Sequence, residues 1–288
     1  MVDKLLEIEN LRVSFHMLHR KIEAVKGVSF SISREKVGIV GESGSGKSLT
    51  GRSILRLAPK SARIKADCLR LNGVDLMALT EKQMHKVRGG SVSMILQDPK
   101  YSLNPLMRVG RQISEAYRLH RNADAGEARK RSLEMLEAVR IRDPELVYDQ
   151  FPHELSGGMG QRIMIAMMLI PEPDLIIADE PTSALDVTVK NQVLRILDEQ
   201  LERRRAGLLF ISHDLNLVSQ FCDRVLVMYA GRIVEDIRAN ELFRARHPYT
   251  QALLGSLPRL DEEVDVLQVP KRDPEWLNGP TYINGAVQ

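Results

Sequence analysis

Cysteine is scarce in this chain of 288 residues, which has only Cys68 and Cys222. The two lie far apart and lack the spacing of metal ligands. This excludes a disulfide framework and a cysteine-based metal cluster, and it indicates a reducing cytoplasm. We interpret both cysteines as packing residues.

Long hydrophobic runs are also missing. The longest apolar run covers residues 163–170 and ends at Pro171, so it is far too short to cross a bilayer. The N-terminus has no charged leader followed by an apolar run, and we therefore expect no secretion signal. Any membrane association is expected to come through a partner.

Neither sign of charge dominates. Lysine and arginine number 41 against 38 aspartates and glutamates, a net charge of +3, so strong nucleic-acid binding is not indicated. The basic cluster at residues 203–205 is more typical of a solvated helix end.

With 43% hydrophobic and 27% charged residues, the chain is globular and large enough for an α/β core plus a second unit.

Residues 41–48 have the order of a phosphate-binding loop, G-x-x-x-x-G-K-S. Its glycines let backbone N–H groups point at phosphate oxygens, Lys47 reaches the β and γ phosphates, and Ser48 can ligate magnesium. A short buried strand at 37–40 precedes the loop, and a helix over 48–57 follows it with its N-terminus facing the anion. A chance glycine-serine loop is the alternative. The predicted ATP-binding residues are Gly41, Glu42, Ser43, Gly44, Ser45, Gly46, Lys47, Ser48 and Leu49.

Alternating residues at 5–15 and 22–32 predict two strands before this loop, and residues 69–71 with the turn Asn72-Gly73 predict a return to the same β unit. Phe15, at the end of the first strand, could stack on an adenine ring. It could equally pack beneath the sheet, as aromatic residues often do.

Three further predicted strands, at 91–96, 175–178 and 208–211, end in polar side chains. In an open α/β sheet such strand ends deliver side chains to the ligand crevice. Gln97 is a candidate metal or water ligand. Asp179 is a candidate Mg²⁺ ligand and Glu180 a candidate acceptor of a proton from water. His213 could reach the γ phosphate. An ordinary strand end, a solvated turn and a solvated histidine are the respective alternatives.

Between residues 109 and 170 the chain is predicted to be helical, with a core stripe of Leu133, Leu136 and Val139, and we interpret about 100–170 as an inserted helical subdomain. Within it, residues 155–159 (L-S-G-G-M) precede a helix. A serine N-cap and two glycines leave N–H groups available for a second anion site, although a simple capped helix is favoured on this segment alone. A hairpin is predicted over 225–234, and residues from about Asp261 onward are expected to be loosely ordered.

The order of these motifs resembles the nucleotide-binding subunit of an ATP-binding cassette (ABC) transporter. The matching segments are Walker A at 41–48, the Q-loop at Gln97, the signature at 155–159, Walker B at 175–180, the D-loop at 183–186 and the switch histidine His213. Phe15 falls where the family has its adenine-stacking aromatic.

The resemblance implies a P-loop NTPase (RecA-like) α/β core with an N-terminal antiparallel β subdomain and an inserted α-helical signature subdomain. It implies a nucleotide-binding domain over 1–240 and a C-terminal extension over 241–288. Catalytic roles fall to Lys47, Gln97, Glu180 and His213, and Mg²⁺ binding to Ser48, Gln97 and Asp179. The signature would act in trans, on a nucleotide held by a second subunit, through Ser156, Gly157, Gly158 and Met159.

Three details resemble the oligopeptide and dipeptide importers, with nickel importers close by: S-L-N-P at 102–105, Gln161-Arg162 after the signature, and R-H-P-Y-T-Q-A-L at 246–253. This implies an ATP-hydrolysing subunit that powers import of peptides, or alternatively of nickel or another small solute. The implied partners are a second ATPase subunit, two membrane permeases and a periplasmic binding protein, at the cytoplasmic face of a bacterial inner membrane.

Other cassette functions fit the residues less well. A DNA-repair or chromosome-organising ATPase would need a long coiled coil or a DNA-binding domain, and no sustained heptads occur. Intact Glu180 and His213 argue against a non-catalytic regulatory cassette, and the 246–253 tail favours import over export.

The sequence departs from the peptide branch in three places. Gly160 stands where that branch has a basic residue, which we expect to weaken contacts at the start of the signature helix. The turn at 33–36 lacks its usual glycine. No cysteine follows Cys222, so we expect no iron–sulfur cluster.

Overall fold

The computed structural model describes residues 4–16, 20–98, 102–183, 185–257, 273, 275–278, 280–283 and 286–287. The chain divides into two units. The first combines both ends of the chain, Met1–Ala78 and Leu209–Gln288, and the second is the continuous stretch Leu79–Leu208.

The elements follow in this order: β1 (Leu6–His16), β2 (Lys21–Ile32), β3 (Lys36–Val40), α1 (Lys47–Ile54), β4 (Ala62–Lys65), β5 (Cys68–Leu71), β6 (Val74–Asp75), α2 (Glu81–Val87), β7 (Val92–Ile95), α3 (Val109–Arg121), α4 (Ala125–Ala138), α5 (Pro144–Tyr148), α6 (Gly157–Leu169), β8 (Leu175–Asp179), α7 (Val187–Arg204), β9 (Gly207–Ile211), α8 (Leu215–Phe221), β10 (Arg224–Tyr229), β11 (Arg232–Arg238), α9 (Pro248–Gly255), α10 (Glu275–Asn278), β12 (Tyr282–Ile283) and β13 (Ala286–Val287). Short 3-10 turns cover Pro152–Glu154 and Ala239–Arg244.

An antiparallel sheet forms the N-terminal part of the first unit, in the order β2-β1-β5-β6, with β4 also paired to β1. In β1 every second residue is buried on each side of a register shift between Ile8 and Leu11, which gives the buried set Leu6, Ile8, Leu11 and Val13. The strands predicted at 5–15, 22–32 and 69–71, and the antiparallel β subdomain that they form, are confirmed.

A second sheet of the first unit surrounds β3, the strand that leads into the phosphate loop. On one side β10 pairs with it in parallel, from Arg224 opposite Val37 to Val227 opposite Val40. On the other side lies β9, and the Ser212 N–H donates to the Ile39 carbonyl at 3.1 Å. The predicted hairpin is confirmed, because β11 returns antiparallel to β10. The interior strand β3 is apolar and buried, as parallel sheets require.

The helix after the phosphate loop is shorter than predicted. It ends at Ile54 and not at residue 57, because Arg56 takes a left-handed backbone (φ 54°). The Leu57 N–H then turns back to the Arg52 carbonyl at 2.8 Å, which closes the helix end.

The second unit packs helices α2–α7 with the parallel pair β7 and β8. Helices occupy most of 109–169, as predicted. In the predicted core stripe Leu136 and Val139 are fully buried and Leu133 is half-buried. The apolar run at 163–170 lies mainly in α6, where Ile163, Met164 and Ile165 are inaccessible to solvent. This mixed α/β architecture matches the predicted fold class.

The prediction of a loosely ordered end after Asp261 is wrong for the residues that the structure describes there; residues 258–272 lie outside them. Trp276 in α10 is buried and packs on Tyr229 and Tyr249, with ring centroids 5.6 and 5.4 Å apart. Tyr282 in β12 pairs with Glu235 of β11. Burial of a large aromatic side chain offsets the entropy cost of ordering this polar segment.

Cys222 is buried, and burial raises the pKa of its thiol, which suits a packing residue. Cys68 is only half-buried, so the packing interpretation holds less well for it. Within the described residues, no helix combines the length and apolar composition needed to cross a membrane.

Candidate nucleotide site

The phosphate loop needs glycine at specific positions. Gly41 has φ 147°, and a Cβ there would lie 2.1 Å from the Met228 carbonyl oxygen. Gly46, just before α1, has φ 105°, and a Cβ there would lie 2.9 Å from the Ala24 carbonyl oxygen. Backbone atoms cannot move aside cheaply, so the neighbouring strands fix glycine at both ends of the loop.

Lys47 is folded over the loop. Its side chain is buried, and Nζ donates to the carbonyls of Gly41 and Glu42, both at 2.8 Å. Helix α1 begins at Lys47 without a side-chain cap, so backbone N–H groups and an ammonium group meet at one helix start. The buried Ser45 hydroxyl has no hydrogen-bond partner among the described residues. This donor-rich loop suits the phosphates of a nucleotide.

A residue of the predicted C-terminal extension supports the same loop. The hydroxyl of the buried Tyr249, in α9, accepts the Glu42 N–H at 2.9 Å. His247 Nδ1 accepts the Tyr249 N–H at 3.1 Å, and the His247 N–H in turn donates to Glu235 in β11. Burial lowers the pKa of His247, which favours the neutral ring that this acceptor role requires. A chain of hydrogen bonds therefore connects the extension to the loop.

In the sequence, Tyr249 stands out only as part of the 246–253 segment that resembles peptide importers, and its contact with Glu42 is not predicted. The two residues are 207 positions apart. The available signal was a tyrosine at the start of the short helix α9, where a buried hydroxyl needs a partner.

His213 lies on the first unit beside the start of the phosphate loop. It follows Ser212, whose N–H bonds to Ile39, two residues before Gly41. Asp214 caps α8 by accepting the Leu217 N–H at 3.0 Å, and it fixes the turn that carries His213. The histidine itself is exposed.

Within the second unit, Gln97 and Glu180 follow neighbouring parallel strands. The last pair of this register is Ile95 of β7 opposite Ala178 of β8, and Gln97 and Glu180 each follow two residues after it. Asp179 is buried at the end of β8 and Gln97 is exposed. An amide and two carboxylates thus lie at or just after the carboxyl ends of two neighbouring strands, and their oxygens are of the kind that Mg²⁺ prefers.

Glu180 sits on an unusual backbone, with φ 49°. The following turn holds it there: Ser183 donates to the Glu180 carbonyl from its N–H at 3.3 Å and from its hydroxyl at 3.2 Å. The buried side-chain amide of Gln161 in α6 donates to the Pro181 carbonyl. Such strain is typical of functional positions. Gln161 is therefore a second residue whose positioning contact the sequence did not reveal.

Ser156 is the N-cap of α6, as predicted, and its hydroxyl accepts the Met159 N–H at 3.3 Å. Ser156 and Gly157 are exposed, and a Cβ on Gly157 would meet nothing within 4 Å. Gly158 packs on Val189, where a Cβ would lie 2.9 Å from Cγ1. The start of this helix is open to a ligand, and its role in trans stays a prediction.

Phe15, in β1, pairs with Ile22 and Ala62 and is half-buried. Adenine stacking stays a prediction for it.

In the D-loop, Asp186 caps α7 by accepting the N–H groups of Thr188 and Val189, both at 3.0 Å, and Ala184 lies outside the described residues.

Comparison with known proteins identifies the family. The ABC transporter family profile matches residues 25–183. The chain is 49% identical to the probable peptide ABC transporter ATP-binding protein y4tR of Sinorhizobium fredii, over 89% of this chain and 77% of that protein. It is 45% identical to the oligopeptide transport ATP-binding protein OppD of Bacillus subtilis, over 97% of this chain and 79% of that one.

The fold agrees with a solved structure of a dimeric ATP-binding cassette, MJ0796, in a post-hydrolysis state bound to ADP and phosphate. The TM-score is 0.70 at 27% identity, covering 81% of this chain and 98% of that one. Both the fold and the sequence thus assign the chain to the ABC transporter family, in which it is an ATP-hydrolysing subunit.

Proposed function

We propose that this chain hydrolyses ATP with Mg²⁺ to power import of peptides. The observation that carries the peptide assignment is its 43–49% identity to proteins named for peptide, oligopeptide or dipeptide transport, over 89–97% of the chain. The partners in this proposal are a second ATPase subunit, two membrane permeases and a periplasmic binding protein. The chain then lies at the cytoplasmic face of the inner membrane through the permeases.

The proposed roles rest on the order of the motifs and, for Lys47, on the contacts of its side chain. Lys47 and the N–H groups of the loop neutralise phosphate charge, since they already converge at the start of α1. Ser48, Asp179 and Gln97 would hold Mg²⁺, which when bound neutralises charge on the phosphates. Glu180 accepts the proton of the attacking water, and His213 supports the γ phosphate.

A signature that is open to solvent supports action in trans. Ser156 and Gly157 leave the N-terminus of α6 accessible, and such a helix start favours an anion. The cassette MJ0796 was solved as a dimer with ADP and phosphate. We place the signature against the nucleotide of the second subunit.

Ser156→Arg tests this trans role. A bulky cation at the exposed N-cap should block closure of two cassettes while leaving this chain's own phosphate loop intact. We expect unchanged ATP affinity of the isolated chain, measured by equilibrium titration, and loss of most ATPase activity of the reconstituted transporter.

His153→Arg, on the exposed 3-10 turn just before the signature, is the control for an added charge. Normal transporter turnover by Ser156→Arg, or loss of its own nucleotide, would leave Ser156 as a simple helix cap.

Tyr249→Phe tests the support of the phosphate loop by the extension. Loss of the hydroxyl leaves the Glu42 N–H without its acceptor, and an unsatisfied buried donor costs about 1–3 kcal/mol. We expect ATP affinity to fall by about three- to tenfold if roughly 1 kcal/mol of that cost is expressed in binding.

Tyr117→Phe is matched to it, since it also removes a hydroxyl hydrogen bond, to Glu127, in the second unit. If Tyr249→Phe and Tyr117→Phe lowered the melting temperature equally and neither changed ATP affinity, the Tyr249 hydroxyl would contribute to stability alone and not to nucleotide binding.

Peptide import is tested in a transporter assembled from this chain with its partner ATPase, permeases and binding protein. In membranes containing the assembled transporter, the binding protein loaded with peptide should stimulate ATP hydrolysis, and Glu180→Gln should abolish the stimulation. Stimulation by a nickel-loaded binding protein, with none by peptides, would replace the peptide assignment with nickel import.

A further inference from the structure

Four arginines of the second unit surround a cavity of about 600 Å³ that lies outside the proposed nucleotide machinery. Arg140 and Arg142 come from the turn after α4, Arg162 from α6, and Arg195 from α7. Thr188 and Asn191 of α7 add polar groups to the lining, and the described lining contains no aspartate or glutamate. The whole chain carries a net charge of only +3, so this is a strong local concentration of positive charge.

Compensation of this charge is incomplete. Glu199 Oε1 lies 2.6 Å from Arg140 Nη2 and 3.6 Å from Arg195 Nε, so a single carboxylate faces two arginines. Within the described part of the chain, Arg142 and Arg162 form no ion pair. Burial and the neighbouring Arg142 lower the pKa of Arg162, as expected of a partly desolvated cation beside a like charge.

One of the four arginines, Arg162, is held in place by backbone carbonyls, which gives the cavity a fixed cation at its wall. Arg162 donates from Nε to the Gly158 carbonyl at 3.2 Å and from Nη1 to the Arg140 carbonyl at 2.7 Å. Arg140 takes a left-handed backbone (φ 59°). Further guanidinium N–H groups stay available, because each arginine carries five donors.

We propose that this arginine pocket binds a phosphate group. Guanidinium groups form paired hydrogen bonds with the oxygens of phosphate, and a tetrahedral oxyanion can accept from several of them at once. The cavity volume is within the range of small-ligand sites. The phosphate can belong to a soluble compound or to an anionic lipid headgroup, and the two sources share this chemistry.

The test compares two double variants of the full chain, both in a Lys47→Met background that weakens the phosphate loop. Arg142→Gln with Arg195→Gln alters the pocket and spares Arg162, which contacts the signature. Arg111→Gln with Arg118→Gln changes two exposed arginines of α3 in the same unit and removes the same charge. Inorganic pyrophosphate is titrated by calorimetry, and sedimentation measures capture by phosphatidylglycerol vesicles against phosphatidylcholine vesicles.

We expect the pocket variant to bind pyrophosphate at least about tenfold more weakly than the control variant, since charged hydrogen bonds are lost. Loss of phosphatidylglycerol capture by the pocket variant alone would support the site with a lipid as its source. Equal pyrophosphate affinities together with equal vesicle capture would overturn the proposal. Equal melting temperatures of the two variants exclude misfolding as the cause of a difference. Because both variants carry the same Lys47→Met change, any pyrophosphate binding that remains at the phosphate loop is common to both, and the difference between them is independent of the proposed nucleotide roles.

Discussion

Glu180→Gln should slow ATP hydrolysis by about 10²–10⁴-fold while leaving Mg-ATP binding nearly intact, because loss of a general base typically has an effect of that size. The glutamine has the same shape and can keep the left-handed backbone that Ser183 holds. Single-turnover hydrolysis and equilibrium ATP titration of the same preparation separate the two effects.

Glu145→Gln, on the exposed surface of α5 in the same unit, is the matched control and should be indistinguishable from the wild type. If Glu180→Gln turned over within a few fold of the wild type, another group would have to accept the proton. Gln97, which follows the neighbouring strand β7, would then be examined as the residue that orients the water.

Lys47→Ala should weaken ATP binding by about 10- to 100-fold, since hydrogen bonds to charged groups contribute about 1.5–3 kcal/mol each. The ammonium now bonds to two loop carbonyls, 2.8 Å away in each case, so its loss also affects the loop itself. Lys47→Met keeps the apolar stem and separates the two contributions. ATP affinity is read by equilibrium titration.

Lys60→Ala, an exposed lysine of the same unit, is the control for the lost charge. If Lys47→Met bound ATP as the wild type does and only Lys47→Ala were weak, the stem and not the cation would be important. Equal affinity of both Lys47 variants and the wild type would contradict the phosphate-loop assignment.

Local patterns account for most of what the sequence predicts correctly. The alternation in β1 and β2, the strand before the phosphate loop and the serine cap of α6 all depend on neighbours within a few residues. Residue spacing therefore identifies them. The end of α1 was predicted wrongly, because the left-handed turn at Arg56 gives no signal in an arginine side chain.

Contacts between distant segments could not be predicted. The hydrogen bond from Glu42 to Tyr249 spans 207 residues. The side chain of Gln161, in α6, donates to the carbonyl of Pro181, which follows β8. The arginines of the pocket come from three elements of the second unit. In each case the sequence shows which hydrogen-bonding groups or charges a side chain carries. Which partner that side chain contacts is decided by the packing of helices and strands.

The position of β3 constrains how the protein can fold during synthesis. Its two neighbours, β9 and β10, begin at residues 207 and 224, whereas β3 ends at residue 40. A ribosome that adds about 5–20 residues per second needs roughly ten to thirty seconds to make the intervening segment. The antiparallel sheet β1-β2-β4-β5-β6 and the continuous second unit emerge complete within that interval. The phosphate loop is thus among the last features that a nascent chain can assemble, and an apolar strand stays unpaired until then, which makes it a natural target for chaperones.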